Sequence, residues 1–146
     1  MNDPTHVYER PGRPAGITGI AIFLAVGAVI ATVTFVALLL PDGPLELMWR
    51  LNPAARDGFR SMGAGALILM PLVAVCCAAS AFGLSRRRLW GWRLALTLLS
   101  VNLVGDVGNA IVRGDVRTLI GLPIGGALIG YLLSARSRQW FGRPPT

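Results

Sequence analysis

Two long stretches of this chain carry no charged residue. The first runs from Gly16 to Leu40 and the second from Ser61 to Ser85. Two shorter apolar stretches follow, from Leu94 to Val112 and from Thr118 to Ala135. An α-helix rises 1.5 Å per residue, so each stretch is long enough to cross roughly 30 Å of hydrocarbon. The pattern predicts four membrane-spanning helices and leaves no room for a second folded domain.

The predicted spans form one domain, residues 16–135, between two short tails. Residues 1–15 are predicted to be a mobile cytoplasmic tail, and residues 136–146 a basic cytoplasmic tail. The predicted fold class is all-α: an integral membrane, up-down bundle of four transmembrane helices. The approximate bounds of the four spans are 16–40, 61–85, 91–112 and 118–135.

An amphipathic segment, residues 45–60, joins the first two spans. It predicts a short interfacial helix with Trp49 at the level of the lipid headgroups. Asn52 followed by Pro53 is typical of a helix start, because Asn caps the first turn and Pro suits its first position. We expect the helix that begins there to continue into the second span.

The net charge of +7 comes from arginine alone, since the 14 basic residues include no lysine. Basic chains often bind nucleic acid, but here the arginines flank the apolar spans. Arginine in such places sets membrane orientation and attracts anionic lipid headgroups. Most of the arginines lie on the side of both termini, which predicts cytoplasmic termini. Abundant Ala, Gly and Leu without Lys favours a GC-rich bacterial genome, and hence the inner membrane.

Small residues recur four positions apart in the fourth span. This small-xxx-small spacing is typical of membrane helices that approach each other closely. We therefore predict helix-packing roles for the glycines of this span and a possible homo-oligomer or membrane-protein partner. The two pairs are Gly121 with Gly125, and Gly126 with Gly130.

The third span has an unusual polar face, formed by Asn102, Asp106, Asn109 and Arg113. Their spacing of four, three and four residues places them within an arc of roughly 60°. An aspartate at the centre of a membrane helix costs about 2.5–3.5 kcal/mol on insertion scales. We therefore expect this stripe to point into the bundle and the third span to depend on its neighbours.

Two interpretations of the polar face remain open. In the first, the stripe holds helices together, and Asp106 accepts hydrogen bonds from hydroxyl groups or pairs with Arg113 or Arg117. In the second, Asp106 lines a hydrated pocket and binds a proton, a cation or a polar ligand, with Asn102 and Asn109 beside it.

Sequence signals for enzymatic or metal chemistry are lacking. The only histidine, His6, lies in the N-terminal tail, and the two cysteines, Cys76 and Cys77, are adjacent within the second span. Adjacent cysteines on a helix point about 100° apart, which favours neither a disulfide nor a metal site. Small four-span drug transporters carry a glutamate in their first span, and this chain has no ionisable residue there. We predict no enzyme activity, no metal and no cofactor.

The last third of the chain resembles a family. The runs from Val101 to Asp106 and from Arg113 to Pro123 are similar to a group of small uncharacterised four-helix bacterial membrane proteins, most strongly between Trp90 and Phe141. The resemblance implies the four-helix fold and no activity. The predicted function is therefore that of a non-enzymatic accessory or self-associating membrane subunit. The alternative is a small transporter or ligand-binding bundle that uses Asp106.

Overall fold

The computed structural model describes residues 14–40, 43, 46–51, 53–113 and 121–141. All regular secondary structure in these residues is helical. Three helices are long and apolar enough to cross a membrane, which indicates a membrane protein. In chain order the helices are α1 (Ala15–Leu39), α2 (Glu46–Leu51), α3 (Pro53–Met62), α4 (Ala64–Ser85), α5 (Leu89–Arg113), α6 (Gly121–Leu133) and α7 (Ala135–Trp140). The membrane-length helices are α1, α4 and α5.

The ends of α1 follow from two prolines in the sequence. Pro14 precedes the helix in an extended conformation, and its carbonyl accepts a hydrogen bond of 3.0 Å from the Ile17 amide. At the other end, Leu40 has left helical geometry at φ −120° and ψ 72°. A residue before proline, here Pro41, avoids the helical region because the proline ring crowds its backbone.

The segment between α1 and α4 forms two short helices, α2 and α3. An ion pair of 2.9 Å between Arg56 and Glu46 joins them. Trp49 lies edge-on to Phe59, with ring centroids 6.0 Å apart, and is only 4 % exposed. The indole of Trp49 therefore packs inside the α2–α3 pair, and its position at the headgroup level stays a prediction.

The expected continuous helix from residue 53 into the second span is also broken. Helix α3 ends at Met62 and α4 begins at Ala64, so the second span is shorter at its start than predicted. Gly63, between them, has φ +53°, a backbone conformation that is costly for any residue with a side chain. This glycine turns the chain out of helical geometry; the predicted cap, Asn52, lies outside the described residues.

The long helices pack in chain order, α1 on α4, α4 on α5, and α5 on α6. Helices α4 and α5 are joined by a tight turn at residues 86–88, in which Arg87 has φ +54°. Helix α6 returns to α1, since a Cβ added to Gly16 would overlap the ring of Tyr131. These contacts gather one end of α1, α4, α5 and α6 around a common core.

That core lies beside the arginine turn, at what we term the turn end of the molecule. Its central residues come from α1, α4, α5, α6 and the chain after α7. They include Ile17, Leu24, Cys77, Ala81, Leu84, Trp92, Ala95, Leu99, Leu132 and Phe141.

The fourth predicted span is described in part. Residues 114–120 lie outside the described residues, and helix α6 ends at Leu133. Ser134 then caps α7, since its hydroxyl accepts a hydrogen bond of 3.4 Å from the Ser137 amide. The start of the predicted basic tail is thus the short helix α7, which packs against α6. Residues 1–13 and 142–146 of the predicted tails lie outside the described residues.

Candidate functional site: the polar face of α5

The polar face of α5 contains one direct side-chain contact. The Asn102 amide donates a hydrogen bond of 3.3 Å to Asp106 Oδ2. The two residues are four apart, so one helical turn brings their side chains together. The same carboxylate oxygen faces α6, where a Cβ added to Gly121 would lie 2.8 Å from it. Asp106 is thus placed between its own helix turn and the glycine of α6.

The rest of the face is less covered than expected. Asn102 is exposed, while Asp106 and Asn109 are half-buried. Arg113 is the last residue of α5, but its side chain lies outside the described part of the molecule, as does Arg117. The expectation that the stripe points into a packed bundle therefore fails at Asn102 within the described residues.

The reason lies in how α5 runs along α4. The line Gly91, Ala95, Leu98, Asn102, Gly105 follows one side of α5, because its members are four or three residues apart. Gly91 touches α4, Ala95 is buried and Leu98 half-buried, whereas Asn102 and Gly105 are exposed. The side of α5 that packs on α4 near the turn is therefore uncovered farther out, where the asparagines lie.

One side of helix α4 shows the same change from buried residues near the turn to exposed residues farther away. Gly83 and Ser80 are buried and Cys76 is half-buried. Farther from the turn, Leu72 is 57 % exposed and Leu69 is 37 % exposed on the same side of the helix. These sides of both helices thus become more exposed with distance from the arginine turn. We term the exposed stretch the outer region: it comprises Leu69 and Leu72 on α4 and the 102–109 face of α5.

The four glycines of α6 fall into two pairs with different surroundings. A Cβ on Gly121 or Gly125 would meet α5, at 2.8 Å from Asp106 Oδ2 and 3.1 Å from Leu103 Cδ1 respectively. A Cβ on Gly126 or Gly130 would meet no described atom within 4 Å. The first pair therefore lies against α5, and the second pair faces away from the described neighbours.

Sequence reasoning missed a close helix crossing between α4 and α5. A Cβ on Gly83 would lie 2.6 Å from the Cα of Gly91, so the two backbones touch. Only glycine permits this distance between α4 and α5. The available signal was one glycine on each side of the three-arginine turn.

Tryptophan and arginine side chains connect several helices at the turn end. The Trp92 indole donates a hydrogen bond of 3.0 Å to the carbonyl of Leu132, near the end of α6 where helical partners are absent. Arg87 Nη2 donates to the Trp140 carbonyl at 2.7 Å, and its guanidinium lies 3.9 Å from the centre of the Trp140 ring. These contacts join the arginine turn and α5 to α6 and α7. Trp92 is thus buried within the described part of the molecule.

A second concave surface lies between α1 and α4. It is an open groove of about 370 Å³, lined by Ala28, Val29, Thr32, Val33, Ala74, Val75 and Ala78. Thr32 is its polar residue, and its hydroxyl donates to the Ala28 carbonyl at 2.8 Å. The groove is therefore an apolar surface that fits hydrocarbon rather than a polar ligand.

Metal-binding geometry is absent from the described residues. They contain no group of three or more His, Cys, Asp or Glu side chains placed to hold an ion. Cys76 and Cys77 are both free thiols, and Cys77 is buried in the core at the turn end.

Comparisons with protein-family models, with curated proteins and with solved structures each gave no match. The resemblance of the Trp90–Phe141 segment to small four-helix bacterial membrane proteins therefore stays a prediction. The apolar helices and the polar face of α5 are the features of the described residues that bear on what the chain does.

Proposed function

We propose that this chain is a non-enzymatic integral membrane protein, and that it acts as an accessory or self-associating subunit of a membrane assembly. The main observation that supports this proposal is that the long apolar helices bury only a small part of their surface. In the most apolar stretches of its helices, 28 % of residues are buried in α1, 33 % in α4 and 11 % in α5. Surfaces this apolar need lipid or other membrane helices around them.

A bundle of four up-down transmembrane helices is the arrangement we propose. Helix α6 is apolar over its described length, and the sequence extends it backwards through Thr118, Leu119 and Ile120. The contact of Trp92 with Leu132 pairs the start of α5 with the end of α6, and Asp106 contacts Gly121 farther along. An antiparallel α5–α6 pair of this kind supports a fourth crossing.

The proposed location is a bacterial inner membrane with both termini in the cytoplasm. The three consecutive arginines at residues 86–88 lie at the turn end, beside Trp140. Arginine clusters stay on the cytoplasmic side, where they meet anionic lipid headgroups. The proposed partners are therefore the bilayer, anionic lipids and a membrane protein, without nucleic acid.

The topology is tested with reporters fused after Thr146 and inserted at Gly43, between α1 and α2. A reporter that works only in the periplasm is expected to be inactive at Thr146 and active at Gly43. The reverse pattern would overturn the proposed orientation.

The assembly role is tested by native mass spectrometry of the protein released from nanodiscs after gentle extraction from its own membrane. We expect the chain to arrive as a homo-oligomer or with a second membrane protein. A lone monomer that retains a small molecule would instead support the alternative function.

That alternative is a small transporter or ligand-binding bundle, supported by the half-buried carboxylate of Asp106 on an apolar helix, beside Asn102 and against Gly121 of α6. Asp106→Asn keeps the side-chain shape and removes the charge. A transport or binding role predicts normal folding with lost ligand or proton dependence, measured by flux into vesicles or by ligand retention. Asp57→Asn, the same change at an exposed aspartate of α3, is the matched control for the loss of one negative charge.

A further inference from the structure

The uncovered side of α5 has the spacing of a helix–helix seam. Asn102, Gly105 and Asn109 are three and four residues apart, so the two asparagines lie one heptad from each other. Asn102 and Gly105 are exposed, and a Cβ added to Gly105 meets no described atom within 4 Å. Near the turn, the same side of α5 is already an interface, because Gly91 there touches Gly83 of α4.

Lipid is a poor cover for this seam. Asparagine side chains in hydrocarbon lose hydrogen bonds to water, and membrane helices satisfy them across helix contacts. A glycine between the two asparagines lets a second helix approach closely enough for the amides to meet. The seam therefore fits a helix that carries both hydrogen-bond donors and acceptors.

The helix that fits this description is α5 of a second copy. Each asparagine amide both donates and accepts, so the face is complementary to itself. Two copies in one membrane share an orientation, and a two-fold axis along the membrane normal brings each residue opposite its own equivalent. Paired asparagines at the same heptad position also fix register and number of helices.

We propose that two copies of this chain associate through the outer half of α5, with Asn102 and Asn109 each paired across the axis and Gly105 at the point of closest approach. This inference rests on the proposed self-association and names its surface. The Asn102–Asp106 hydrogen bond within each copy orients one amide and leaves its remaining donor and acceptor for the partner.

The test is energy transfer between donor-labelled and acceptor-labelled copies, diluted with lipid in phosphatidylethanolamine–phosphatidylglycerol vesicles. Labels are placed through Thr146→Cys in a chain that carries Cys76→Ala and Cys77→Ala. We expect transfer that falls with dilution, as a reversible dimer requires. Gly105→Leu is expected to weaken the dimer at least about tenfold, because leucine blocks the close approach.

The matched control is Gly126→Leu, the same change on α6. A Cβ at Gly105 or at Gly126 meets no described atom within 4 Å, so neither change collides inside the described molecule. Gly126→Leu is expected to leave the dimer within about twofold. Replacing both Asn102 and Asn109 by leucine is expected to weaken it by about threefold to thirtyfold, the range of membrane hydrogen bonds.

Disulfide cross-linking locates the seam directly, in a chain that carries Cys76→Ala and Cys77→Ala and keeps Thr146. Asn102→Cys or Asn109→Cys is expected to form cross-linked dimers, whereas Val104→Cys and Ile111→Cys, on the opposite side of α5, are not.

The outcomes separate the two proposals. A monomer at every dilution would overturn the seam and the proposed self-association together. A dimer that cross-links through Val104, or that Gly126→Leu breaks and Gly105→Leu spares, would overturn the seam alone. In that case the self-association would stand with its interface on another helix.

Discussion

The two halves of α5 have different surroundings although they belong to one continuous helix. In the half beside the arginine turn, Trp92, Ala95 and Leu99 are each no more than 6 % exposed. In the half beyond it, residues 101–111 include no buried side chain, and Val104 and Ile111 are 72 % and 78 % exposed. The first half packs against other helices of the same chain, whereas the second half needs lipid or another helix to cover its side chains.

The difference has a chemical cause. Near the turn, glycine against glycine lets α4 and α5 touch, and an indole satisfies a carbonyl of α6. Farther out, leucines of α4 and asparagines of α5 make up the outer region. Apolar and amide side chains do not complement each other, so these side chains offer no contact that would hold the outer parts of α4 and α5 together. The packed half of α5 thus stabilises the chain, and the proposed association belongs to the open half of the same helix.

The largest expected effect tests the packed half. Gly83→Leu forces α4 away from Gly91 and is expected to lower the free energy of unfolding by about 3 kcal/mol, since overpacking of a close contact has no room to relax. The measurement is detergent-titrated unfolding in mixed micelles. Gly108→Leu, in the open half, is expected to change it by less than about 0.5 kcal/mol. Equal losses would abolish the distinction between the halves.

The next effect concerns the hydrogen bond between α5 and α6. Trp92→Phe leaves the Leu132 carbonyl without its indole donor and is expected to cost about 1–3 kcal/mol of unfolding free energy. Trp90→Phe is the control, because Trp90 is 48 % exposed. If both substitutions cost the same, the indole hydrogen bond does not hold α6 in place.

A smaller effect is expected at the arginine turn. Arg87→Lys keeps the charge but loses the planar contact with Trp140, and is expected to cost about 0.5–1 kcal/mol. Arg86→Lys, whose guanidinium lies 4.7 Å from the Phe82 ring, is expected to cost less because the Trp140 carbonyl bonds are untouched. Thermal unfolding in one detergent compares the two; a larger loss at Arg86 would contradict the role given to Arg87.

The smallest effect is expected in the open half of the single chain. Asn102→Ala removes an exposed hydrogen bond of 3.3 Å, and at high lipid dilution is expected to change unfolding by less than about 0.5 kcal/mol. A loss above about 1 kcal/mol in a proven monomer would mean that Asn102 stabilises the chain itself.

Sequence patterns predicted the helices better than their contacts. Charge-free runs of membrane length identified α1 and α4, because hydropathy depends only on which residues are present. The break at Gly63 escaped prediction, since a glycine in an apolar run is equally compatible with a continuing helix. Spacing likewise grouped Asn102, Asp106 and Asn109 on one face, and the structure joins the first two by a hydrogen bond.

The sequence could not predict which groups surround the polar face of α5. Helical periodicity gives the direction of a side chain on its own helix, but the distance to the next helix depends on how the two cross. That crossing is set at Gly83 and Gly91, far from the asparagines. The burial of Trp49 and Trp92 was missed for a similar reason, as an indole suits a membrane interface and a packed contact equally well.

Because α4 and α5 touch at Gly83 and Gly91, a rotation of α5 about this contact displaces its far end much more than its near end. From Gly91 to Arg113 the helix is about 33 Å long, so each degree of rotation at the crossing moves the far end by about 0.6 Å. A small shift of the arginine turn is thereby magnified at the far end of α5. Helix α6 would move with it, because Gly121 and Gly125 lie against Asp106 and Leu103 in the outer half of α5.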